Sequence, residues 1–449
     1  MKTLQQKIAD KSANVAVIGL GYVGLPLASG LSKAGFHVTG VDVNSSKVEA
    51  LQRGESYIDD VPGEDLAPLV AEGRLQATAD YGALNRVDAV FICVPTPFNE
   101  MRAPDLSFIE SAAQSIGPRL HTGELVVLQS TTFPGTTEEI VQPILETSGL
   151  KAGEDFYLAF SPERIDPGNT RFTVENTPKV VGGVTPECGR LTGALLSHLT
   201  PQIHLVSSPR AAEMTKLLEN IFRSVNIALV NELMLLSERM GIDIWEVIEA
   251  AKTKPFGYMP FYPGPGVGGH CIPVDPYYLS WKAREYDFYT KFIELAADVN
   301  GGMPYHTVQT VIQGLNRRGC PIMEASVLIL GVAFKPNVDD ARNSPAARVI
   351  ELLLKEGAQV SYHDPYVPHF QVGGDVFLRQ AVHFNSVPIT SEILSQADCV
   401  LIVTGHADVD YGQVVENAQL VVDAVNATWQ IERSRDKILR LGGVRNKTT

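Results

Sequence analysis

No CxxC pair occurs among the five cysteines of the chain, Cys93, Cys188, Cys271, Cys320 and Cys399. An odd number of widely spaced cysteines argues against both a disulfide framework and a cysteine-held zinc, and fits a reducing cytoplasm. No metal site is expected. The sequence also lacks any run of roughly 18 apolar residues, the length a spanning helix needs. The stretch from Met1 to Ala13 is polar and has no apolar leader, so neither export nor a membrane partner is expected. Positive charge is in the minority. With 37 Lys and Arg against 51 Asp and Glu, the formal net charge is −14, which disfavours nucleic acid as a partner but leaves room for one local basic pocket around a phosphorylated ligand. Internal repeats and low-complexity tracts are absent as well.

What remains is an ordinary globular composition, 45% hydrophobic and 20% charged over 449 residues, long enough for two or three domains of about 100–200 residues each. Asn14 to Ile18 is a short apolar run, followed by Gly19-Leu20-Gly21-Tyr22-Val23-Gly24 and a helix-compatible stretch ending near Gly35. That order predicts strand, tight turn, helix. Further buried strands are predicted at Phe36 to Val43, Ala89 to Val94 and Leu125 to Gln129. From about Ala211 to Met240, apolar positions at helical spacing, without internal glycine or proline, predict one long helix. A mixed helical region follows, then a proline- and glycine-dense loop, Pro255 to Pro276, longer than a connector needs to be. Strand-like runs recur at Ser326 to Leu330, Gln359 to His363, Cys399 to Thr404 and Leu420 to Val425, with a helix that Ser344-Pro345 opens and Gly357 ends. The fold class expected is α/β: two doubly wound Rossmann-like domains joined by a long central helix and a helical middle domain.

Gly19, Gly21 and Gly24 satisfy the dinucleotide fingerprint, in which glycines permit a tight turn and bring a pyrophosphate to backbone N–H groups at a helix N-terminus. Asp42, at the end of the second strand, is placed to accept from a ribose 2′-OH, and no arginine adjoins it, so NAD is expected rather than NADP. The stretch Gly264-Pro265-Gly266-Val267-Gly268-Gly269-His270-Cys271 crowds glycines around one thiol. Read locally, such a backbone lets N–H groups and a bulky substrate approach the sulfur, as covalent catalysis requires. A lone cysteine is more commonly a small buried hydrophobe, the role the other four are given. A Cys271/His270 dyad is the weaker idea, because loop neighbours usually point apart. Lys216 and Asn220, four apart on the long helix, share a face and can stabilise an oxyanion, although a solvated lysine beside a helix-to-loop hydrogen bond is the commoner reading of that spacing.

With these residues in view, the sequence resembles the UDP-glucose/GDP-mannose dehydrogenase family from residue 14 to about residue 430. The features that carry the resemblance are the glycine turn, Ser130-Thr131 before Pro134, Ser161-Pro162-Glu163-Arg164, the Lys216 to Glu232 helix, Gly268-Gly269-His270-Cys271 and Phe334-Lys335. Asp166-Pro167-Gly168-Asn169, Lys254-Pro255-Phe256-Gly257 and Trp281-Lys282-Ala283-Arg284-Glu285-Tyr286 bring it nearest the UDP-N-acetylglucosamine 6-dehydrogenases of bacterial O-antigen synthesis. Enzymes for UDP-N-acetylmannosamine or UDP-N-acetylgalactosamine share part of the pattern, and UDP-glucose fits less well.

The resemblance implies an NAD-dependent four-electron oxidation of a sugar CH2OH through a thiohemiacetal and a thioester on Cys271. Lys216 and Asn220 would hold the oxyanion, Asp275 would position water or accept a proton, and Glu163 would assist hydrolysis. Cofactor contacts implied are Gly19, Gly21, Tyr22, Val23, Gly24, Asp42, Pro95, Thr96, Thr131 and Lys335. Substrate contacts implied are Glu163, Arg164, Lys216, Asn220, Tyr262, Gly264, Gly268, Lys335 and Arg342. The domains implied are residues 1–205 for NAD, 206–310 for dimerisation and the cysteine loop, and 311–449 for the UDP-sugar. The long helix would lie at the interface of a homodimer or higher homo-oligomer. One departure stands out: the family commonly places an arginine after the last strand-ending acid, where this chain reads Asp423-Ala424-Val425-Asn426-Ala427. Two other readings use part of the pattern. A two-electron dehydrogenase of the β-hydroxyacid type has no use for Cys271, and a non-catalytic nucleotide-sugar-binding regulator would leave it buried and unreactive.

Overall fold

Short apolar strands, most of them closed to solvent, build the sheet of the N-terminal region. They are β1 (Asn14–Ile18), β2 (His37–Val41), β3 (Leu75–Thr78), β4 (Ala89–Ile92), β5 (Leu125–Leu128), β6 (Tyr157–Phe160), β7 (Lys179–Gly183) and β8 (Ile203–Val206). The order is β3-β2-β1-β4-β5-β6-β7-β8, parallel throughout except where β7 runs antiparallel to β6. β4 and β5 are buried at every position, the signature of strands covered on both faces by helices. The turn after β1 enters α1 (Gly24–Lys33), whose residues from Gly24 to Ser32 are all buried.

The C-terminal sheet repeats the plan with β9 (Ser326–Leu330), β10 (Gln359–His363), β13 (Cys399–Ile402), β14 (Val421–Asp423) and β15 (Ile438–Arg440). Its order is β10-β9-β13-β14-β15, parallel at every pairing. A separate antiparallel hairpin joins β11 (His369–Val372) to β12 (Val382–Asn385). Of the helices, α2 (Pro209–Met240), α3 (Asp275–Ala283), α4 (Lys291–Arg317) and α5 (Pro345–Lys355) matter most for the site. Ser344 caps α5, its side chain accepting from the Ala346 N–H, with Pro345 in the first turn, and Gly357 follows in the left-handed region at φ +83°.

This computed structural model describes residues 2–58, 61–98, 103–166, 169, 171–269 and 271–444. The chain divides into two units, residues 1–219 with 277–289, and residues 220–276 with 290–449. Each has its own apolar core, around Val15, Phe36, Phe91 and Val127 in the first and around Val327, Ile329, Ile350 and Leu401 in the second.

Helix α4 lies in a stretch, between the loop ending at Pro276 and the strand at Ser326, to which the sequence reading assigns no element. Gly301, Gly302 and Pro304 lie inside it, yet Ile293, Ala296, Met303, Val308, Val311 and Leu315 bury one continuous face, and packing overrides the local breakers. The apolar positions of α2 also do more than one job. Leu217, Ala228, Val230 and Met234 are buried, whereas Met214, Leu218, Phe222, Leu229, Leu233, Leu236 and Met240 form an exposed stripe.

The turn between β1 and α1 depends on Gly24. A Cβ there would lie 1.8 Å from the Gly19 carbonyl oxygen, and backbone cannot yield as a flexible side chain does. Gly24→Ala is expected to destabilise the protein by about 1–3 kcal/mol or more, read as a lower urea midpoint; an unchanged midpoint would contradict the packing described.

Candidate functional site

The three fingerprint glycines serve separate purposes. Gly19 sits at φ +90°, and a Cβ there would lie 2.6 Å from the Cys93 carbonyl oxygen; Gly24 permits the close packing already described; Gly21 has no atom within 4 Å of where its Cβ would be. The first and third close the turn, and the second leaves backbone open to a ligand at the entrance to α1, with Tyr22 and Val23 between them. Asp42 follows β2 and is 8% exposed. Its carboxylate accepts from the Leu20 N–H at 2.8 Å and the Asn44 N–H at 2.9 Å, with the Lys47 ammonium 3.5 Å away. This arrangement fits a dinucleotide, with pyrophosphate over Gly21 and a ribose hydroxyl at Asp42. At the ends of β4 and β5, Pro95 precedes a buried Thr96 whose carbonyl accepts from the Tyr278 hydroxyl, and Ser130, beside Thr131, donates to the Val94 carbonyl at 2.7 Å.

Glu163 follows β6 and is 7% exposed. One carboxylate oxygen accepts from the Arg164 and Ile165 N–H groups at 2.8 and 3.1 Å. The other accepts from the Lys179 ammonium at 2.6 Å and the Gln129 amide at 2.9 Å. Four donors fill the roughly four lone-pair positions of a carboxylate. Burial works to raise its pKa, but the Lys179 charge, the backbone donors and Lys216 prevail, so the carboxyl lies below its ordinary range. Lys216, on α2, is 8% exposed and forms no ion pair among the described residues, an unusual setting for a buried cation. Arg164 spends its guanidinium on Glu219, at 2.6 and 3.3 Å, and on the Pro178 carbonyl.

In the second unit, Cys271 opens the turn into α3: its carbonyl accepts from the Val274 and Asp275 N–H groups at 3.2 and 2.8 Å. Asp275, at the first position of α3, is 1% exposed and accepts from the Asn220 side chain at 2.6 Å. His270 lies outside the described residues, as do Pro167 and Gly168. The neighbouring glycines do not act as the sequence led us to expect. A Cβ on Gly268 would lie 2.9 Å from each of the Asn343 carbonyl oxygen, the Phe334 Cβ and the Pro345 Cδ, and one on Gly269 would lie 3.0 Å from the Phe334 ring. Their missing side chains are therefore filled by protein rather than left for substrate. The Gly269 N–H donates to the Arg342 carbonyl at 3.1 Å, and the Asn343 amide donates to the Gly269 carbonyl at 3.1 Å. Gly264 has open space at its Cβ position, and its N–H donates to Asn231 at 3.0 Å.

Two of the expected substrate contacts have protein partners. Arg342 grips Asp340 through two nitrogens at 2.9 and 2.6 Å, and the half-exposed Tyr262 donates to Glu249 at 2.9 Å while lying against Trp245. The Lys335 ammonium lies 5.7 Å from the Phe334 ring centre. Where the family's arginine is absent, the turn closes on Asp423, which accepts from the Val425, Ala427 and Thr428 N–H groups, and Arg440 donates to Asn426 at 2.8 Å. Of the other cysteines, Cys93, Cys188 and Cys399 are buried and Cys320 is partly so. Burial pushes the Cys93, Cys320 and Cys399 thiols up, away from reactivity.

Sequence reasoning missed Lys179, Gln129 and the pair Asp364–His406. Asp364, following β10 as Asp42 follows β2, accepts from the Val332 and Ala333 N–H groups at 2.7 and 2.9 Å and from His406 Nε2 at 3.0 Å. Because the Asn337 N–H donates to His406 Nδ1 at 3.0 Å, the imidazole proton sits on Nε2. The pair holds the loop that carries Phe334 and Lys335. A strand-ending acid and a lysine opening an apolar run were the available signals. Among the described residues no helix is long and apolar enough to cross a membrane, and no group of three or more His, Cys, Asp or Glu is placed to hold a metal ion.

Comparison with known proteins places residues 13–200 in the NAD binding domain of the UDP-glucose/GDP-mannose dehydrogenase family, 210–301 in its central domain and 328–430 in its UDP binding domain. The chain is 37% identical over 401 residues to UDP-N-acetyl-D-glucosamine 6-dehydrogenase of Pseudomonas aeruginosa, covering 89% of this chain and 92% of that one. Its fold is similar to that of UDP-D-ManNAc dehydrogenase from Pyrococcus horikoshii, with a TM-score of 0.85 and 31% identity over 96% of this chain and 99% of that one. It is also similar to NDP-N-acetyl-D-galactosaminuronic acid dehydrogenase from Methanosarcina mazei, with a TM-score of 0.80 and 31% identity over 99% and 98%.

The packing of the cysteine loop is open to test. Gly268→Ala is expected to cost about 1–3 kcal/mol, since the Asn343 backbone and the Pro345 ring cannot both give way; denaturant titration measures it, and a neutral result would contradict the contact.

Proposed function

The chain belongs to the UDP-glucose/GDP-mannose dehydrogenase family, with NAD as cofactor and a UDP-sugar as substrate, and from that premise we propose that it oxidises C6 of a UDP-N-acetylhexosamine to the carboxylate. UDP-N-acetylglucosamine is the substrate we favour, on the 37% identity to the Pseudomonas aeruginosa relative; the manno and galacto epimers are the alternatives. The observation that carries the mechanism is the place of Cys271 in the turn that leads into α3, its carbonyl tied to the Val274 and Asp275 N–H groups, on the segment that also carries Asp275; a cysteine acts as a nucleophile in its thiolate form.

Overall, CH2OH, two NAD and water give a carboxylate, two NADH and three protons. NAD, when bound through Gly19, Gly21, Tyr22, Val23, Gly24, Asp42, Pro95, Thr96 and Thr131, supplies the hydride acceptor for both oxidations. Cys271 thiolate adds to the C6 aldehyde as a thiohemiacetal, which keeps the aldehyde from escaping, and is acylated when that carbon is oxidised. Lys216 and Asn220, four apart on α2, stabilise the developing oxyanion, a role that typically supplies about 3–4 kcal/mol. Asp275, hydrogen-bonded to Asn220, orients that amide and takes a proton. Water then attacks the thioester, the C–S bond breaks and sulfur leaves as thiolate; Glu163 provides a fixed negative charge that favours proton loss from that water. Lys335, with Arg342, Arg164, Tyr262 and Gly264, completes the substrate contacts, while Gly268, closed in by Phe334, Asn343 and Pro345, supports the cysteine loop instead.

Residues 1–205, 206–310 and 311–449 form the three functional domains in this reading. It places the enzyme in the cytoplasm, making uronic acid for bacterial surface polysaccharide such as O-antigen. The exposed apolar stripe on α2 is the face on which a second copy packs, since stripes of this extent mark association surfaces.

With limiting UDP-N-acetylglucosamine, two NADH per sugar are expected from the wild type and no steady turnover from Cys271→Ala; one NADH, or turnover indifferent to Cys271, would sink the thioester route, and the epimers and UDP-glucose run in parallel identify the sugar. Leu229→Glu is expected to convert a dimer to a monomer by light scattering; a monomeric wild type would remove the dimer from the account.

A further inference from the structure

We infer that Lys179 and Gln129 are positioning residues for the hydrolytic half of the reaction, acting through Glu163. The inference rests on the role given to Glu163 above. Lys179 opens β7 and is wholly buried, which is rare for a lysine unless it is paired. Its partner is Glu163, at 2.6 Å, on the loop leaving β6. β6 and β7 are the one antiparallel pair in this sheet, in contact at Ala159 with Gly183 and Phe160 with Gly182. That inversion is what brings the first residue of β7 and the loop leaving β6 to the same edge of the sheet, so the charge pair follows directly from the topology.

The groups facing the carboxylate can be named from every side. Lys179 comes from β7, Lys216 from α2, Gln129 from the end of β5 and the Arg164 and Ile165 N–H groups from the Glu163 loop itself. The Cys93 thiol, from the end of β4, meets the Gln129 amide oxygen at 3.5 Å. That contact fixes which end of Gln129 points at Glu163. The two backbone donors set the position of one carboxylate oxygen, while Lys179 and Gln129 set the rotation about the last side-chain bond. Without Lys179, burial would act on the carboxylate unopposed from that side, and a protonated Glu163 would no longer favour proton loss from water. The first two steps, aldehyde formation and acylation of Cys271, do not call on that charge. Loss of Lys179 should therefore slow release of the acid and leave acylation in place.

The test is a double-mutant cycle on the full-length enzyme with NAD and the UDP-sugar that turns over, using K179M, K179R, E163Q and K179M/E163Q. Rapid mixing reads the first two NADH per active site, steady state reads kcat against pH, and intact-protein mass reads the acylated fraction. K179M is expected to keep its first two NADH, lose about tenfold or more in kcat, accumulate acyl-enzyme and move the acid limb of kcat up by about one pH unit. K179R should recover most of the rate. If Lys179 acts only through Glu163, the double variant should be no more than about twofold slower than E163Q. This comparison holds even if K179M alone fails to fold, because the double variant leaves no unpaired buried charge. An unchanged kcat in K179M overturns the inference, as does equal loss of burst and steady state with an unmoved acid limb, or a double variant about tenfold slower than E163Q. If E163Q itself leaves hydrolysis untouched, it is the role of Glu163 that fails; if E163Q slows hydrolysis and K179M does not, only the present inference falls.

Discussion

The missing side chains of Gly268 and Gly269 let Phe334, Asn343 and Pro345 rest directly on the backbone that leads to Cys271. Two hydrogen bonds, from Gly269 to Arg342 and from Asn343 to Gly269, fasten the same segment. The cysteine loop is thus held by the loop after β9, and that loop is held in turn by Asp364 and His406. Past Cys271 the chain makes one turn, with the Cys271 carbonyl accepting from the Val274 and Asp275 N–H groups, and enters α3 at Asp275, which lies against Asn220. The nucleophile proposed for this loop needs a fixed position more than a mobile one, and close packing of the glycine backbone before Cys271 supplies one.

The candidate polar groups of each unit are buried, and burial sets their behaviour. An isolated carboxylate out of water is costly, so Glu163 is met by four donors and Asp275 by Asn220. Removing one partner from a buried ion pair typically costs about 3–5 kcal/mol because the other charge is left alone, so Glu163 and Lys179 depend on each other. Lys216 is the contrast, buried with no carboxylate paired to it among the described residues. Its charge acts on Glu163 without a direct ion pair, and the proposed mechanism gives it an oxygen that gains charge during reaction.

Much of this was legible in the sequence because it depends on short-range rules. The glycine turn, the strand-ending Asp42, the α2 periodicity, Ser344-Pro345 and the strands β9 and β10 follow from spacing and capping over a few residues. What escaped depends on distant partners. Helix α4 was hidden by Gly301, Gly302 and Pro304, whose local cost is outweighed by a buried face that only the fold reveals. Lys179 looks like any charge at a strand edge until the inversion of β7 brings it to Glu163. The glycines before Cys271 were conspicuous, but what fills their space comes from Phe334 to Pro345, which the local sequence does not contain. The turn at Asn426 lacks the expected arginine, and Arg440, from the adjacent β15, is the residue that meets it.

The central claim is that Cys271 carries the sugar carbon between the two oxidations. Acid quenching of wild-type enzyme during turnover, followed by proteolysis and mass measurement of the cysteine-containing peptides, tests it most directly. A UDP-uronyl adduct on the peptide containing Cys271, present only with both NAD and UDP-sugar and removed by hydroxylamine, is the result expected of a thioester. An enzyme that turns over with Cys271 unmodified, or with the adduct on Cys93, Cys188, Cys320 or Cys399, would contradict it.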